Sequence, residues 1–512
     1  MQARLAMSLL WAGATLLGWA HAGEALDVKM KPLQFGALQE FGIIKKGLLV
    51  STPVSEMKDE WVDHFGTFFV QEASINNRLV VKGGLAGIFQ FPKPEKSQEQ
   101  YGGSQYKVFY IGPSVAEAMY HFGGTENSML SFGGGMFPFE YNPDANNLGE
   151  YLFRSGPYPS FIMTGGNGGL TAIGDQFSVL QGFRSHAHIG NFNADMLLTT
   201  ETGLPPLYDW SLAFVASYQI ADGLLDLGAG VNFKRLIQID AKKTSVRDLE
   251  NSYFQKGNAW YSGDARNYTN PASFISDLAD TAYAKNTKSD SVVGDGLKAQ
   301  SLKLSSIADS LVEGGPWLDA KTGLVPGASY YTPAGTMVMA RVAVDFKKLF
   351  NADFFGPNDL RLYGEIALLG IKNYPVYYKK MTERMPMMVG FNVPGFHLLD
   401  LISVQMEYYN SPNLNNTSTI GAHNWAIPFI PDRGASIFSK KAFNDLSTKD
   451  NYSWSVLARK KILSTLNLNV QVARDHMRTV GTDWFYGSRF EPNEILHKTS
   501  SWYWMFQLGW NI

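Results

Sequence analysis

The chain of 512 residues has no cysteine, little charge and no surplus of basic residues. Without cysteine it cannot form a disulfide framework or bind a metal through thiolates, and it has no cysteine to carry a lipid anchor. Its 44 lysines and arginines are outnumbered by 46 aspartates and glutamates, which gives a net charge of −2. Nucleic-acid-binding proteins carry a basic surplus, so no nucleic-acid partner is expected.

The N-terminus has the three parts of a secretory signal. Arg4 supplies a positive charge, an apolar run extends from Leu5 to Ala20, and Ala20-His21-Ala22 has the small-x-small pattern that signal peptidase accepts. We therefore predict a signal peptide at residues 1–22, cleaved after Ala22, and an exported protein. A buried N-terminal helix is the alternative.

After residue 22 no stretch contains the ~20 apolar residues that a membrane-spanning helix requires. Because only helices and closed barrels satisfy every backbone polar group in lipid, the rest of the chain is either soluble outside the cytoplasm or crosses a membrane as a closed sheet. Charged residues make up only 18% of the chain, whereas soluble proteins average ~25%. This deficit favours a lipid-facing surface.

The second half alternates between apolar and polar residues. In 210–220 the even-numbered positions, beginning with Trp210, are apolar or aromatic, and a short turn at 221–223 leads into a second alternating run. Period-two alternation places each set on one side of a strand. The connections of this half separate nine such runs, which include these two and those at 338–346, 360–368, 402–408, 452–459, 466–472 and 502–512.

The length and spacing of these runs separate a membrane barrel from a soluble sandwich. They span ~10–14 residues, close to the ~9–11 of a tilted spanning strand and longer than the ~5–6 of soluble strands. Short connections (221–223, 351–358, 394–397, 460–464) alternate with long ones (240–335, 372–384, 410–450, 476–499). Bacterial barrels have short periplasmic turns and long outer loops, so this pattern predicts a periplasmic C-terminus.

The first half is less regular. We predict a hairpin turn at Asn76-Asn77, and residues 23–60 form either a periplasmic extension or an extra strand. Predicted strands are Phe65–Ala73, Leu79–Phe91, Lys107–Ile111, Val115–Phe122, Leu130–Phe139, Phe177–Arg184 and Asn191–Thr200. The expected fold is all-β, an antiparallel transmembrane β-barrel over 61–512 with ~16 strands and a range of 14 to 18, since bacterial barrels favour even numbers.

The long connection 241–335 changes to helical spacing. Asn270-Pro271 is a good helix start. Apolar residues then share one face at 274, 275, 278 and 282, and again at 304, 307, 308 and 311. We expect two short amphipathic helices in this outer loop, packed together or against the barrel mouth.

The signal peptide and the terminal strand resemble those of outer-membrane proteins of Gram-negative-type bacteria, and more loosely porins. Such barrels end in an amphipathic strand that the barrel-assembly machinery reads, with an aromatic last residue. Here Ile512 stands in the last place, and Trp510 lies two residues earlier. The resemblance implies an outer-membrane location, with these residues facing lipid: Trp502, Trp504, Phe506, Leu508, Trp510 and Ile512.

A second resemblance lies at Gly134–Phe139, which is followed by the segment Glu140–Gly174. Some substrate-selective porins show a similar Gly-aromatic-Pro strand end, and in porins an early loop folds inward to narrow the pore. An edge-strand proline leading into an ordinary outer loop is the alternative.

Motifs of enzymes and cofactor sites are absent. The chain contains neither G-x-S-x-G nor H-E-x-x-H, so no enzyme, cofactor or metal is expected, although a triad assembled from distant residues is not excluded by spacing. His186 and His188 share a strand face but are more simply lumen or surface histidines. Gly165–Gly169 is interpreted as a loop tip, and the aromatics near 374–378 and 484–486 as interfacial girdles.

Three functions remain, in order of preference. The first is a porin-like channel for passive diffusion of small hydrophilic solutes, because ~16 strands leave an aqueous channel. The second is a surface adhesion or structural barrel that uses 241–335, and the third is a soluble exported β-protein. Expected partners are outer-membrane lipid and the barrel-assembly machinery. A homo-oligomer is compatible with this sequence. The predicted pore-lining residues are Asp226, Asn232, Lys234, Arg341, Asp345, Arg361, Glu365, Gln405, Glu407 and Arg459.

Overall fold

A computed structural model supplies the structure of the protein. It describes residues 27–49, 55–90, 109–126, 128–154, 178–201, 208–239, 276, 279–280, 294–302, 334–350, 354–371, 380–411, 451–463, 465–477, 496 and 499–511. The predicted signal peptide and its cleavage site lie outside these residues.

Eighteen strands form one antiparallel sheet. They are β1 (Val28–Met30), β2 (Gln34–Leu49), β3 (Ser55–Met57), β4 (Glu60–Ile75), β5 (Leu79–Gln90), β6 (Phe109–Phe122), β7 (Leu130–Phe139), β8 (Ser178–Ile189), β9 (Phe192–Thr200), β10 (Trp210–Ile220), β11 (Leu225–Ile237), β12 (Gly335–Asp345), β13 (Arg361–Leu368), β14 (Met387–Asn392), β15 (Leu401–Tyr408), β16 (Tyr452–Ile462), β17 (Leu466–Arg474) and β18 (Trp502–Asn511).

Sixteen of these strands, β2 and β4 to β18, form a closed ring. Each pairs with the next in sequence, and β18 pairs with β2 from Trp502 opposite Lys46 to Asn511 opposite Gly36. The terminal alternating strand therefore closes the barrel. The short β1 and β3 pair with β4 and β2 respectively. The fold is the all-β antiparallel barrel that the sequence predicts.

Each strand has one face toward the lumen and one away from it. On β18 Tyr503 and Met505 are buried, whereas Trp502, Phe506 and Trp510 are at least 36% exposed. This is the alternation expected of a barrel with an apolar outer surface. The outer face continues around the ring in exposed apolar residues: Phe69, Leu85, Phe132, Phe183, Met196, Phe214, Leu227, Val342, Ile366, Val389, Met406, Val456 and Val470.

One sequence interpretation differs from the structure, and the structure decides between the two alternatives for residues 23–60. The two strands predicted at 107–111 and 115–122 are a single strand, β6, whose pairing with β5 shifts register between Gly84 and Leu85. Proline is tolerated at such a bulge, so Pro113 does not end the strand. Residues 23–60 contain β2, which belongs to the ring. The predicted turn at Asn76-Asn77 is present, and both residues have positive φ.

Helices are few and lie outside the sheet. A four-residue helix, α1, spans Tyr151–Arg154, and two 3₁₀ helices span Phe346–Leu349 and Met381–Arg384. Within the predicted outer loop, 276 and 279–280 are helical, as is 294–302; the second predicted helix, at 304–311, lies outside the described residues. Across the described part of the chain, no helix is both long and apolar enough to cross a membrane.

Candidate functional site

Residues 140–154, called the inward segment below, follow β7 and fold into the barrel. Most of their side chains are buried. Their contacts reach residues of β11, β13 and β15, all on the lumen-facing side of the strands. Over its described part, residues 140–154, the segment has the inward fold that the Gly134–Phe139 resemblance implies rather than the path of an ordinary outer loop.

Glu365 on β13 is the centre of this docking. Its two carboxylate oxygens accept four hydrogen bonds from the inward segment: Tyr141 Oη at 2.6 Å, Asn142 Nδ2 at 2.7 Å, and the backbone N–H groups of Glu150 and Tyr151, both at 2.9 Å. A carboxylate offers about four lone-pair sites. One buried side chain therefore anchors both ends of the segment's turn.

Two side chains of β15 extend the anchor. Gln405 Oε1 accepts the backbone N–H groups of Asn147 and Leu148 at 2.9 and 3.0 Å. Glu407 accepts the Tyr151 hydroxyl at 2.7 Å, and its other oxygen lies 2.5 Å from His476 Nε2. Because unpaired backbone groups are costly when buried, these contacts let the polar turn lie inside the barrel.

Ion pairing and a further carboxylate hold the segment at its edges. Asp144 binds the guanidinium of Arg361 in a two-pronged pair, with Arg361 Nη2 at 2.9 Å. Asn147 Nδ2 donates to Asp475 at 2.8 Å, and Asp475 also accepts the Tyr503 hydroxyl at 2.7 Å. Burial raises the pKa of Asp475, and these donors oppose that shift.

Apolar packing completes the interface. Leu152 lies so close to Gly230 on β11 that a Cβ there would stand 2.7 Å from its Cδ1, so glycine allows this close approach. The segment joins lumen-facing apolar residues in one buried cluster. Its members include Phe137, Phe139, Tyr141, Leu148, Tyr151, Leu152, Phe153, Leu197, Val215, Met337, Met339, Tyr363 and Met388.

Glu150 is a buried acid of the segment. Its Oε1 accepts the backbone N–H groups of Tyr141 and Asn142 at 2.6 and 2.7 Å. Burial raises the pKa of Glu150 to about 8; Arg154 and the Asn142 N–H oppose the shift, and Glu140 and Glu365 add to it. At neutral pH this side chain is therefore mainly a neutral acid.

The ten predicted pore-lining residues share the inner face, and five of them contact the inward segment: Asn232, Arg361, Glu365, Gln405 and Glu407. Asp226 and Arg341 pair with each other at 3.3 Å, and Arg459 donates to Asn469 at 3.2 Å. Lys234 is partly buried, and Asp345 lies opposite Arg361 in the strand register. We call the inner face of β11 to β15 the docking wall.

A second set of charges lies on β4, β5, β6, β8 and β9, and we call their inner face the paired wall. Arg184 lies 2.8 Å from Glu117, His186 2.9 Å from Asp195, and Lys82 3.6 Å from Glu72. Here water contact persists, since the side chains of Lys82 and His186 are each 40% exposed and that of Arg184 is 25% exposed.

The Arg184–Glu117 pair spans an intervening strand. Glu117 is opposite Gly135, and Arg184 is opposite Gly133, both on β7. Alternate strands lie about 10 Å apart, so Arg184 must cross β7 to reach Glu117. The two glycines present no side chain to block it, and the guanidinium also lies 5.0 Å from the Phe137 ring.

The histidines and acids of the described residues show no metal-binding cluster. Among the described residues no group of three or more His, Asp or Glu side chains could hold a metal ion. His186 contacts Asp195, and His188 contacts Asn193 at 2.6 Å. The glycine run at 165–169 and the aromatics near 374–378 and 484–486 lie outside the described residues.

Sequence reasoning missed several residues of the site. No motif marks Asp144, Asn147 and Glu150 of the segment, or Asp475 and His476 after β17. Many of the contacts join residues far apart in the sequence, such as Asn147 and Asp475, 328 positions apart. One signal was present in the sequence. The lumen-facing set includes the apolar Met337, Met339, Ala343 and Met388, and such residues on an otherwise polar face indicate that something covers them.

A closed ring of sixteen antiparallel strands, an apolar outer surface and a segment folded into the lumen define a porin-like β-barrel. No protein-family profile matches the chain, and no curated protein does.

Solved structures similar to this chain include engineered variants of the porin from Rhodopseudomonas blastica. Two of them each cover 95% of this chain and 100% of their own, with TM-scores of 0.38 and sequence identities of 7% and 6%. A third, titled "Asymmetric conductivity of engineered proteins", has a TM-score of 0.37 and 6% identity over the same 95% and 100%. At these values the likeness adds nothing to what the strand pairing of this chain already shows.

Proposed function

We propose that the protein is a channel of the outer membrane that lets small hydrophilic solutes cross by passive diffusion. The observation that carries this proposal is a sixteen-strand ring with a segment anchored inside it. Rings of ~16 strands leave an aqueous interior, whereas ~8 strands are filled by side chains. The inward segment, held by buried hydrogen bonds, narrows that interior at one fixed place.

The charges of the paired wall favour a channel that does not select strongly for the charge of the solute. The lysine and the arginine described there each have an anion beside them, in the Lys82–Glu72 and Arg184–Glu117 contacts. Paired opposite charges largely cancel at a distance, and salt screens what remains. We therefore expect weak ion selectivity and passage of neutral or zwitterionic solutes.

The location is part of the same proposal. The apolar outer face supports contact with outer-membrane lipid and disfavours a soluble protein. Export by the predicted signal peptide and recognition of β18 by the assembly machinery complete the route. Intact-mass measurement of the exported protein should give a chain that begins at Gly23; a retained Met1 would refute the cleavage.

Single-channel recording of the purified, folded protein in planar lipid bilayers tests the function. We expect stable conductance steps and a reversal potential near zero across a KCl gradient. Folding should be verified independently, by the different gel migration of unheated and boiled samples. A folded barrel without conductance would contradict the channel function. It would favour the alternative hypothesis of an adhesion or structural barrel, in which 241–335 binds a partner.

A further inference from the structure

One buried carboxyl group of the inward segment is only half satisfied. Glu150 Oε1 accepts two backbone N–H groups, from Tyr141 and Asn142, whereas Oε2 is buried and has no hydrogen-bond partner in the described part of the chain. An ionised oxygen without a partner is costly in such a place. A protonated oxygen carries no net charge there, so the geometry fits a neutral acid.

The groups around Glu150 add to this requirement. Its own backbone N–H donates to Glu365 on β13, which brings a second carboxyl group close to the first. Glu140 is a further acid, and Arg154 is the basic group that bears on Glu150. Arg154 is itself directed to the backbone oxygens of Ala145 and Asn147, with Nη1 3.1 Å from the latter.

The backbone at this point is also strained. Gly149 and Glu150 both have positive φ, +104° and +59°. Residues other than glycine rarely adopt a positive φ such as that of Glu150. Such a conformation persists only where the surroundings enforce it. The bonds to Glu365 supply that enforcement, so loss of docking would also release strain.

We propose that the inward segment is a pH-sensitive latch whose docked state requires Glu150 to be protonated. The raised pKa of Glu150, about 8 in the docked state, sets the sign. Released into water, the side chain would regain an ordinary pKa of ~4.3. At a pH between these two pKa values, docking takes up one proton. Docking is therefore strongest at acidic pH, weakens as the pH rises to about 8, and changes no further above it.

Amide hydrogen exchange of the folded barrel between pH 5 and pH 8 tests the latch directly. After correction for intrinsic exchange, the wild-type amides of Tyr141, Asn142 and Tyr151 should lose protection by up to tenfold per pH unit. The amides of β16 and β17 serve as an internal control and should not change. Constant protection of the segment would overturn the proposal.

Glu150→Gln is the matched variant, because an amide imitates the neutral acid and keeps an acceptor for both N–H groups. It should abolish the pH dependence and leave protection at the acidic level. Asp475, a second buried acid against the segment, is tested separately as Asp475→Asn. An unchanged slope in Glu150→Gln would show that Glu150 is not the group that titrates.

A third measurement keeps the test independent of the variant's folding. Infrared spectra of the wild type near neutral pH should show the carbonyl band of a buried protonated carboxylic acid, and absence of the band overturns the latch. The effect on conductance rests on the proposed channel function. In single-channel recordings, the current noise of the wild type should rise from pH 5 to pH 8 as the segment undocks. The current noise of Glu150→Gln should not rise. If no current is seen, the channel fails, whereas the exchange result still decides the latch.

Discussion

The docking wall and the paired wall face the same lumen but use their charges differently. On the docking wall Glu365 is 3% exposed and accepts four hydrogen bonds from the inward segment. On the paired wall Arg184 meets Glu117 and remains partly exposed. The first arrangement fixes a piece of chain in place, and the second leaves paired charges in contact with water.

The difference shows that a charged side chain on the inner face does not necessarily contact ions in the lumen. A charged side chain whose hydrogen-bonding sites are all occupied by the inward segment holds that segment in place. Its removal leaves the segment's buried donors unpaired. A charge on the paired wall can be removed with the barrel intact, and its partner then faces the solvent alone. Variants of the two walls should therefore change different properties.

The largest effect is expected for Glu365→Ala on the docking wall. Each buried donor left unpaired costs about 1–3 kcal/mol, and this change removes the acceptor of four. The inward segment should detach, and limited proteolysis should then cut within 140–154 while the barrel stays folded.

Ile366→Ala, at the next position of β13 but on the outer face, is the control and should leave the segment protected. Equal protease resistance of Glu365→Ala and the wild type would mean that this carboxylate is not the anchor.

An intermediate effect should separate the inner and outer faces of one strand. Leu508 on β18 lies on the outer face, and Leu508→Arg should cost about 2–4 kcal/mol if the residue is near the midplane of the bilayer. Gln507 faces inward and donates to Glu40 at 2.9 Å, so Gln507→Arg places a cation beside an acid and should be mild. Folded yield and urea titration compare the two, and equal losses would mean that the assigned facing is wrong.

The smallest effect on stability, but the clearest on ions, should come from the paired wall. Arg184→Ala leaves Glu117 without its cation, so the reversal potential across a KCl gradient should shift toward cation selectivity, and less so at 1 M salt, where the Debye length is ~3 Å. Arg361→Ala, whose guanidinium binds Asp144, should instead loosen the inward segment with little change in selectivity. Identical shifts from the two variants would remove the distinction between the walls.

Alternation predicted the fold, and even the strand number, but two of its details offset each other. The sequence pattern predicts two strands where there is one, β6, because a bulge interrupts the two-residue period at Gly112-Pro113. The sequence pattern does not decide whether β2 is a strand of the barrel, because both of its faces carry apolar residues, such as Phe41 on one and Ile44 on the other, and no alternation remains. In most of the nine later strands one face is more polar and alternation predicts the strand, whereas β14 is indicated only by the connections on either side of it.

The site was less predictable than the fold. Strand periodicity assigned Arg361, Glu365 and Glu407 to the inner face, where they lie. It could not show that residues 140–154 would meet them, because a side-chain pair such as Tyr141 and Glu365, 224 positions apart, has no local signature. Composition suggested a wet lumen, whereas the apolar Met339 and Met388 belong to a packed interface.

Cross-linking is the most direct test of docking of the inward segment against the wall of β15, since the chain has no cysteine of its own. Asn146 Nδ2 lies 3.5 Å from Ser403 Oγ, so the double variant Asn146→Cys, Ser403→Cys should be joined by a short bis-reactive thiol reagent in the folded barrel. The pair Asn146→Cys, Val404→Cys, with the second thiol on the outer face, should not. Efficient linkage of only the first pair, seen as one added linker mass with both thiols consumed, is the predicted result. Failure of the first pair to link in a folded barrel, or equal linkage of both, would contradict the docked segment.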